Sequence, residues 1–278
     1  MPQTLSRSVT RGASGKEPLP LAFPSWGPFG IRFRRGTMSM LFGESGSHKT
    51  RIVLNAVINM GVSTLMFSTD SDQDTVASRI LAIATRTPTD VTEQWLRTES
   101  EKSAAILKAY DFIRWDFRPD PTMDDIWLGA YAYHEAEGRY PDQIVIDIAS
   151  DVGHDTGGDE WANLRDLLRQ GKVLARETGA HVLLVHHASD SAATKKPCPR
   201  KRDMQGKVSA LPEVIVTCGL TATGDLHVAD VKNRHAKADA DANNHFPMHL
   251  DAATSFVGDY IAPQVSYQGW GGQEEDWS

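Results

Sequence analysis

Cysteine is nearly absent from this 278-residue chain, which holds two, Cys198 and Cys218. Two are too few for a disulfide framework or for a zinc site built on cysteines. Long hydrophobic runs are absent too. None approaches the roughly 20 residues that cross a bilayer, so no membrane span is expected. Residues 1–15 are polar, with no apolar core ahead of a cleavage site, and no secretory signal is read there. Net positive charge is also lacking. Lys and Arg number 29 against 36 Asp and Glu, leaving −7 at pH 7, which excludes a generally basic nucleic-acid coat but not a local basic loop. What is present, 40% hydrophobic and 23% charged residues, excludes a wholly disordered or collagen-like chain. The expectation is a protein of the reducing cytoplasm.

Pro2, Pro18, Pro20, Pro24 and Pro28 punctuate residues 1–30, with few aliphatics before Leu19. This predicts an extended arm, with Trp26 and Phe29 as possible anchors on the domain or on a neighbouring subunit. At the other end, residues 263–278 carry Gly269, Gly271 and Gly272 and then Glu274, Glu275, Asp276 and Trp277, the composition of a flexible acidic tail. Between them, residues 31–262 read as one domain of alternating short apolar runs and amphipathic segments. Strands are predicted over 37–42, 64–68, 111–117, 143–148 and 181–187, and helices over 49–60, 74–84, 92–109, 123–137 and 159–178. From Pro212 onward short strands follow without long helices, at 214–220, 225–232, 245–250 and 255–260. That order predicts an α/β fold, a mainly parallel twisted sheet flanked by helices, with antiparallel strands finishing it.

The chemistry concentrates in Gly43-Glu44-Ser45-Gly46-Ser47-His48-Lys49-Thr50, between a predicted strand and a predicted helix. Backbone N–H groups of such a loop, with the helix N-terminus, cradle phosphates. Lys49 would reach the β- and γ-phosphates of a nucleotide, and the Thr50 hydroxyl would ligate Mg²⁺. The usual pattern, G-x-x-x-x-G-K-[ST], has glycine where this chain has His48, a change the backbone tolerates if the histidine φ is negative. Ile144-Val145-Ile146-Asp147 is an apolar strand ending in a carboxylate that would share the magnesium ion with Thr50. Asp70 ends the run Phe67-Ser68-Thr69-Asp70, where a general base could orient attacking water. His186 and His187 close a strand and point to opposite faces; His187 is assigned to the site. Each element alone has a plainer reading, an acid at a strand end or a chance Gly/Ser loop. Their order along the chain sets them apart.

In that order the parts resemble the RecA-like P-loop ATPase core of hexameric DnaB-type replicative helicases and of the wider RecA/RadA group, over about residues 30–260. The resemblance implies ATP and Mg²⁺ as cofactors and a homo-oligomeric ring or filament. It implies a catalytic acid at Asp70, where the family has glutamate in Phe-Ser-Leu-Glu, and places His187 where the family has a sensor glutamine. Lys232-Asn233-Arg234 matches the Lys-x-Arg pair with which the family reaches a neighbouring subunit's γ-phosphate. Without the other motifs these charges read as well as a solvated pair leaving a strand. Short proteins carrying this core are familiar among bacteriophages, so the resemblance also implies a phage source and the host cytoplasm.

The one concentrated basic stretch holds Lys195, Lys196, Arg200, Lys201, Arg202 and Lys207 against Asp190 and Asp203. It falls where RecA-like proteins carry loops facing DNA, and predicts sequence-independent, salt-sensitive binding of single-stranded or forked DNA. Its plainer reading is a solvated loop. Two metal clusters are weaker candidates: His154, Asp155, Asp159 and Glu160, and the pair His245 and His249. The expected function is a DNA-binding ATPase that translocates on or remodels DNA in replication or recombination. A metal-dependent nuclease on the same fold and a non-catalytic ATP-binding mediator are the alternatives. The Trp277 tail is a candidate contact for a replication partner.

Overall fold

The computed structural model describes residues 17–153, 160–189 and 196–260, apart from the side chains of residues 160, 161 and 207. In chain order the regular elements are β1 (Met38–Gly43), α1 (Lys49–Met60), β2 (Thr64–Ser68), α2 (Gln73–Thr85), α3 (Thr89–Thr98), α4 (Ser100–Leu107), β3 (Ile113–Asp116), α5 (Met123–Glu137), β4 (Gln143–Asp147), α6 (Glu160–Thr178), β5 (His181–His187), β6 (Val214–Leu220), β7 (Leu226–Asn233), β8 (Phe246–Asp251) and β9 (Phe256–Asp259). The strands form one nine-stranded sheet in the order β3-β2-β4-β5-β1-β6-β7-β8-β9. Pairing is parallel from β3 through β6 and antiparallel from β6 to β9. The α/β class expected from the sequence is the class observed.

Strand composition explains the layering. Side chains alternate faces along a strand, and the central strands are apolar at every position, as strands buried on both faces must be. Met38, Met40 and Phe42 of β1, Ile144 and Ile146 of β4, and Val182 and Leu184 of β5 enter one core, with residues of α5 and α6. The intervening Leu41, Val145, Leu183 and Val185 enter the other, beneath α1. Helix α5 starts in a reciprocal cap between Thr122 and Asp125 and stops at left-handed Gly138. No helix among the described residues is long and apolar enough to cross a membrane.

Two expectations are corrected. The segment from Glu17 to Gly30 is no extended arm: Leu19, Ala22, Phe23 and Trp26 are buried in the second core. Trp26 lies against Phe23 at 5.0 Å and edge-on to Phe33 at 5.8 Å, and Phe29 stacks on Phe246 at 4.1 Å. Apolar area outweighs the irregular, proline-set backbone, and the Leu19 amide still finds the Phe33 carbonyl. The single helix expected over 92–109 is two, α3 and α4, separated at Glu99, whose φ of −133° and ψ of 48° are not helical. Residues 1–16 and the predicted tail from 263 lie outside the described residues.

Trp26→Ala removes a side chain that is 2% exposed and is expected to cost about 3–5 kcal/mol in urea unfolding. A loss within about 0.5 kcal/mol, the range of surface positions, would mean that this segment does not belong to the core.

Candidate functional site

The carboxyl ends of four parallel strands meet at one edge of the sheet. Gly43 of β1 is in register with His187 of β5 on one side and Cys218 of β6 on the other, and Ser68 of β2 is in register with Asp147 of β4. Open α/β sheets bind ligands at this edge. The loop between β1 and α1 rests on β6 so closely that a Cβ on Gly43 would lie 2.5 Å from both the Cys218 carbonyl oxygen and Ser47 Oγ. The Ser47 hydroxyl donates to the Glu44 carbonyl at 2.7 Å and closes the loop on itself. No side chain caps the first turn of α1, so its N–H groups face the loop unspent, as an anion site requires.

At His48 the sequence expectation fails. Its φ is +63° and ψ 26°, so the histidine adopts the left-handed conformation of the glycine it replaces. That geometry costs roughly 1–2 kcal/mol for a residue with a Cβ. An Arg51 guanidinium N–H donates to His48 Nδ1 at 2.7 Å and partly offsets it. Guanidinium only donates, so Nδ1 accepts and the ring proton sits on Nε2. Burial and the Arg51 charge both push the His48 pKa down.

Lys49 is buried, and its ammonium donates to the Gly43 and Glu44 carbonyls at 3.1 and 2.8 Å; burial lowers its pKa. Asp147 is 2% exposed. Burial pushes its carboxyl pKa up to about 6, against a hydrogen bond with Thr50 and the charge of Lys49, which favour the ionised form. Its Oδ1 has no partner. A buried carboxylate with an orphaned oxygen beside a threonine hydroxyl suits a hard divalent cation, so Thr50 and Asp147 would hold Mg²⁺. Asp70 stands exposed at the rim of a cavity of about 290 Å³ that Lys49, Thr50 and His187 also line. His186 points the other way, into the protein, where Nε2 lies 3.2 Å from the Gln205 carbonyl and burial holds its pKa near 4.

The remaining candidates lie apart from this cavity. Lys232 Nζ donates to the Ser209 and Ala210 carbonyls at 2.6 and 2.8 Å, and the Arg234 guanidinium reaches the Ala210 carbonyl at 3.5 Å. Burial, with the charges of Arg234, Lys201 and Lys172, pulls the Lys232 pKa down to about 8. In the basic stretch, Arg200 is paired in-chain with Asp203 through two bonds of 2.8 and 3.0 Å. Lys196 Nζ holds the Asp241 carbonyl and Asn243 Oδ1. Arg202 is exposed and Lys201 half-buried; Lys195 and the Lys207 side chain lie outside the described residues. The expectation of six free cations is therefore corrected for Arg200 and Lys196. His154, Asp155, Asp159 and the Glu160 side chain are likewise not described. His245 faces His227, with the two Nδ1 atoms 2.8 Å apart, while His249 lies against Phe256. Among the described residues no three His, Cys, Asp or Glu side chains gather into a metal-binding group.

Comparison with known proteins agrees with this arrangement. The model of a family described as AAA domain matches residues 31–193, more than half of the chain. The chain belongs to the AAA domain family. Two curated relatives are both called Gene 65 protein. That of Mycobacterium phage L5 is 29% identical over 257 residues, 90% of this chain and 93% of the relative. That of Mycobacterium phage D29 is 28% identical over 229 residues, 80% and 96% of the two chains. Among solved structures, an isolated ATPase domain superposes with a TM-score of 0.74 at 11% identity, over 92% of this chain and 96% of its own. A DnaB-like replicative helicase gives 0.76 at 11% identity, over 92% of this chain and 65% of that one. A KaiC-like protein from Pyrococcus horikoshii gives 0.60 at 14% identity, over 88% of this chain and all of its own. The fold is thus RecA-like.

Two cations of this AAA domain's cavity escape sequence reading: Arg51 on α1 and Arg79 on α2 both line it. Arg51 sits one residue past the phosphate-loop pattern, and Arg79 nine residues past Asp70, where no motif marks it.

The ionised form of Asp147 is the one that would hold a cation. Mg²⁺-dependent ATP binding is therefore expected to weaken as pH falls through about 6, by roughly tenfold per pH unit below it. Asp147→Asn should bind weakly at every pH. Calorimetric titration from about pH 5 to 8 reads both, and a flat wild-type profile would refute the assignment.

Proposed function

We propose that this chain is a DNA-binding ATPase of the DnaB/RecA type, which hydrolyses ATP at subunit interfaces to translocate on or remodel DNA in the cytoplasm of a phage's host. The observation that carries the reading is the gathering of Lys49, Thr50, Asp70, Asp147 and His187 at one edge of the sheet, from four separate segments of the chain. Lys49 would exchange the Gly43 and Glu44 carbonyls for the β- and γ-phosphates, and the loop N–H groups would bind the rest. Bound Mg²⁺ would neutralise phosphate charge, with Thr50 and Asp147 orienting it. Asp70, exposed and one methylene shorter than the family's glutamate, would orient the attacking water, and His187 would contact the γ-phosphate through its ring N–H.

Lys232 and Arg234 support the subunit-interface part of the reading. They lie off the chain's own cavity, and Lys232 is crowded by Arg234, Lys201 and Lys172. Such a cluster gains most from an anion that another subunit presents. Lys201 and Arg202, the described basic-stretch cations least engaged in-chain, are the candidates for DNA phosphates. The nuclease alternative has no described metal-binding cluster in its favour, and the tail-borne partner falls outside the described residues.

The test follows phosphate release with and without single-stranded or forked DNA. DNA-stimulated release should fall at least ~100-fold in Lys49→Ala and by ~10³-fold in Arg234→Ala. Mixing these two inactive variants should restore part of the activity, because some interfaces then pair an intact loop with an intact finger. A mixture as dead as its components, or monomers alone by sedimentation with ATP and DNA present, would overturn the interface reading.

A further inference from the structure

We propose that Arg79 is a terminal-phosphate ligand supplied by the chain that also supplies the phosphate loop, a cation in addition to any finger from a neighbour. The inference rests on the nucleotide-site reading above. Arg79 lies in the middle of α2, half-buried, and lines the same cavity as Lys49, Thr50 and Asp70. One guanidinium N–H donates to Ser71 Oγ at 3.0 Å. Ser71 is itself fixed, because the Ser68 hydroxyl at the end of β2 donates to its carbonyl at 2.9 Å. The guanidinium is thus tied to the residue next to Asp70. If Asp70 orients water toward the terminal phosphate, Arg79 stands at that end of the triphosphate.

The charge balance points the same way. Among the described residues Arg79 forms no ion pair with a carboxylate, and its hydrogen bond goes to a neutral hydroxyl. It is close enough to Arg51 to push the Arg51 pKa down and close enough to Asp147 to act on its carboxyl. Three cations, Lys49, Arg51 and Arg79, line one cavity with Asp70 as the only carboxylate in the lining. Like charges held together without counter-charge raise the energy of the empty site, and a polyanion lying between them removes that cost. A guanidinium with free N–H groups is also the donor best matched to phosphate oxygens.

A ligand of the terminal phosphate discriminates ATP from ADP. Competition against a fluorescent nucleotide in Mg²⁺, with the full chain, should show Arg79→Ala weakening ATP by about 10- to 100-fold while ADP changes by no more than about twofold. Arg79→Lys should recover part of the ATP affinity. Ser71→Ala, which frees the guanidinium without removing it, should shift the ATP/ADP ratio the same way by a smaller factor. Thermal unfolding of each variant identifies a folding defect, and Ser71→Ala and Arg79→Lys then carry the test. Equal losses for ATP and ADP, or no loss, would overturn the proposal while leaving the nucleotide site standing. The nucleotide-site reading fails by a different result: Lys49→Ala binding both nucleotides as the wild type does. A wild-type chain that binds neither overturns both.

Discussion

The contact on which the site depends is between backbone and backbone, where β1 ends against β6. Gly43 lies so near the Cys218 carbonyl that no side chain fits, and this closeness seats the loop that follows. From that seat the chain turns through Gly46 and His48, both with positive φ, and delivers Lys49 and Thr50 on the first turn of α1. Parallel pairing does the rest. Because β1, β4 and β5 run in one direction and in fixed register, their last residues reach the same edge. Asp147 and His187 therefore meet the loop although roughly a hundred residues or more of chain separate them from it. The apolar runs that make these strands thus also position the polar atoms at their ends.

The arrangement stores unfavourable energy in three places: left-handed His48, the buried Asp147 with an oxygen unpartnered, and the crowding of Arg51 by Arg79. None is needed for the fold, whose two cores are apolar and continuous. All three lie around one cavity, and a polyanion with a divalent cation would relieve the last two together. Local conflict of this kind, set on an otherwise consistent scaffold, is what a binding site looks like before its ligand arrives.

What the sequence showed follows from what is local. The strand–loop–helix at 37–60, the acid-ended run at 144–147 and the closing histidines are each legible because their patterns span a few adjacent residues. The positive φ of His48 was not legible, since it follows from how the loop lies on β6 and from the Arg51 hydrogen bond. Prolines disguised the docking of residues 17–30, although Leu19, Phe23 and Trp26 carried the apolar signal. The break at Glu99 has no glycine or proline to announce it. Arg79 escaped for the opposite reason: its role depends on a cavity assembled from α1, β5 and the loop after β2, and no spacing rule encodes that meeting.

The cations also divide by place. Lys49, Arg51 and Arg79 face this chain's own cavity, whereas Lys232 and Arg234 cluster with Lys201 beside the turn at 209–210. Within one chain the second cluster has no anion to answer it, and burial together with mutual repulsion already draws Lys232 toward neutrality near pH 8. On the reading proposed here, a triphosphate held between two chains would satisfy both sets at once, its near side by Lys49 and Arg79 and its far side by the neighbour's finger. Each neutralisation makes the other cheaper, because an anion already fixed by one chain costs less to present to the next. Nucleotide binding and subunit contact would then be two faces of a single electrostatic requirement, and the cation within the chain would let nucleotide bind before the neighbour closes on it.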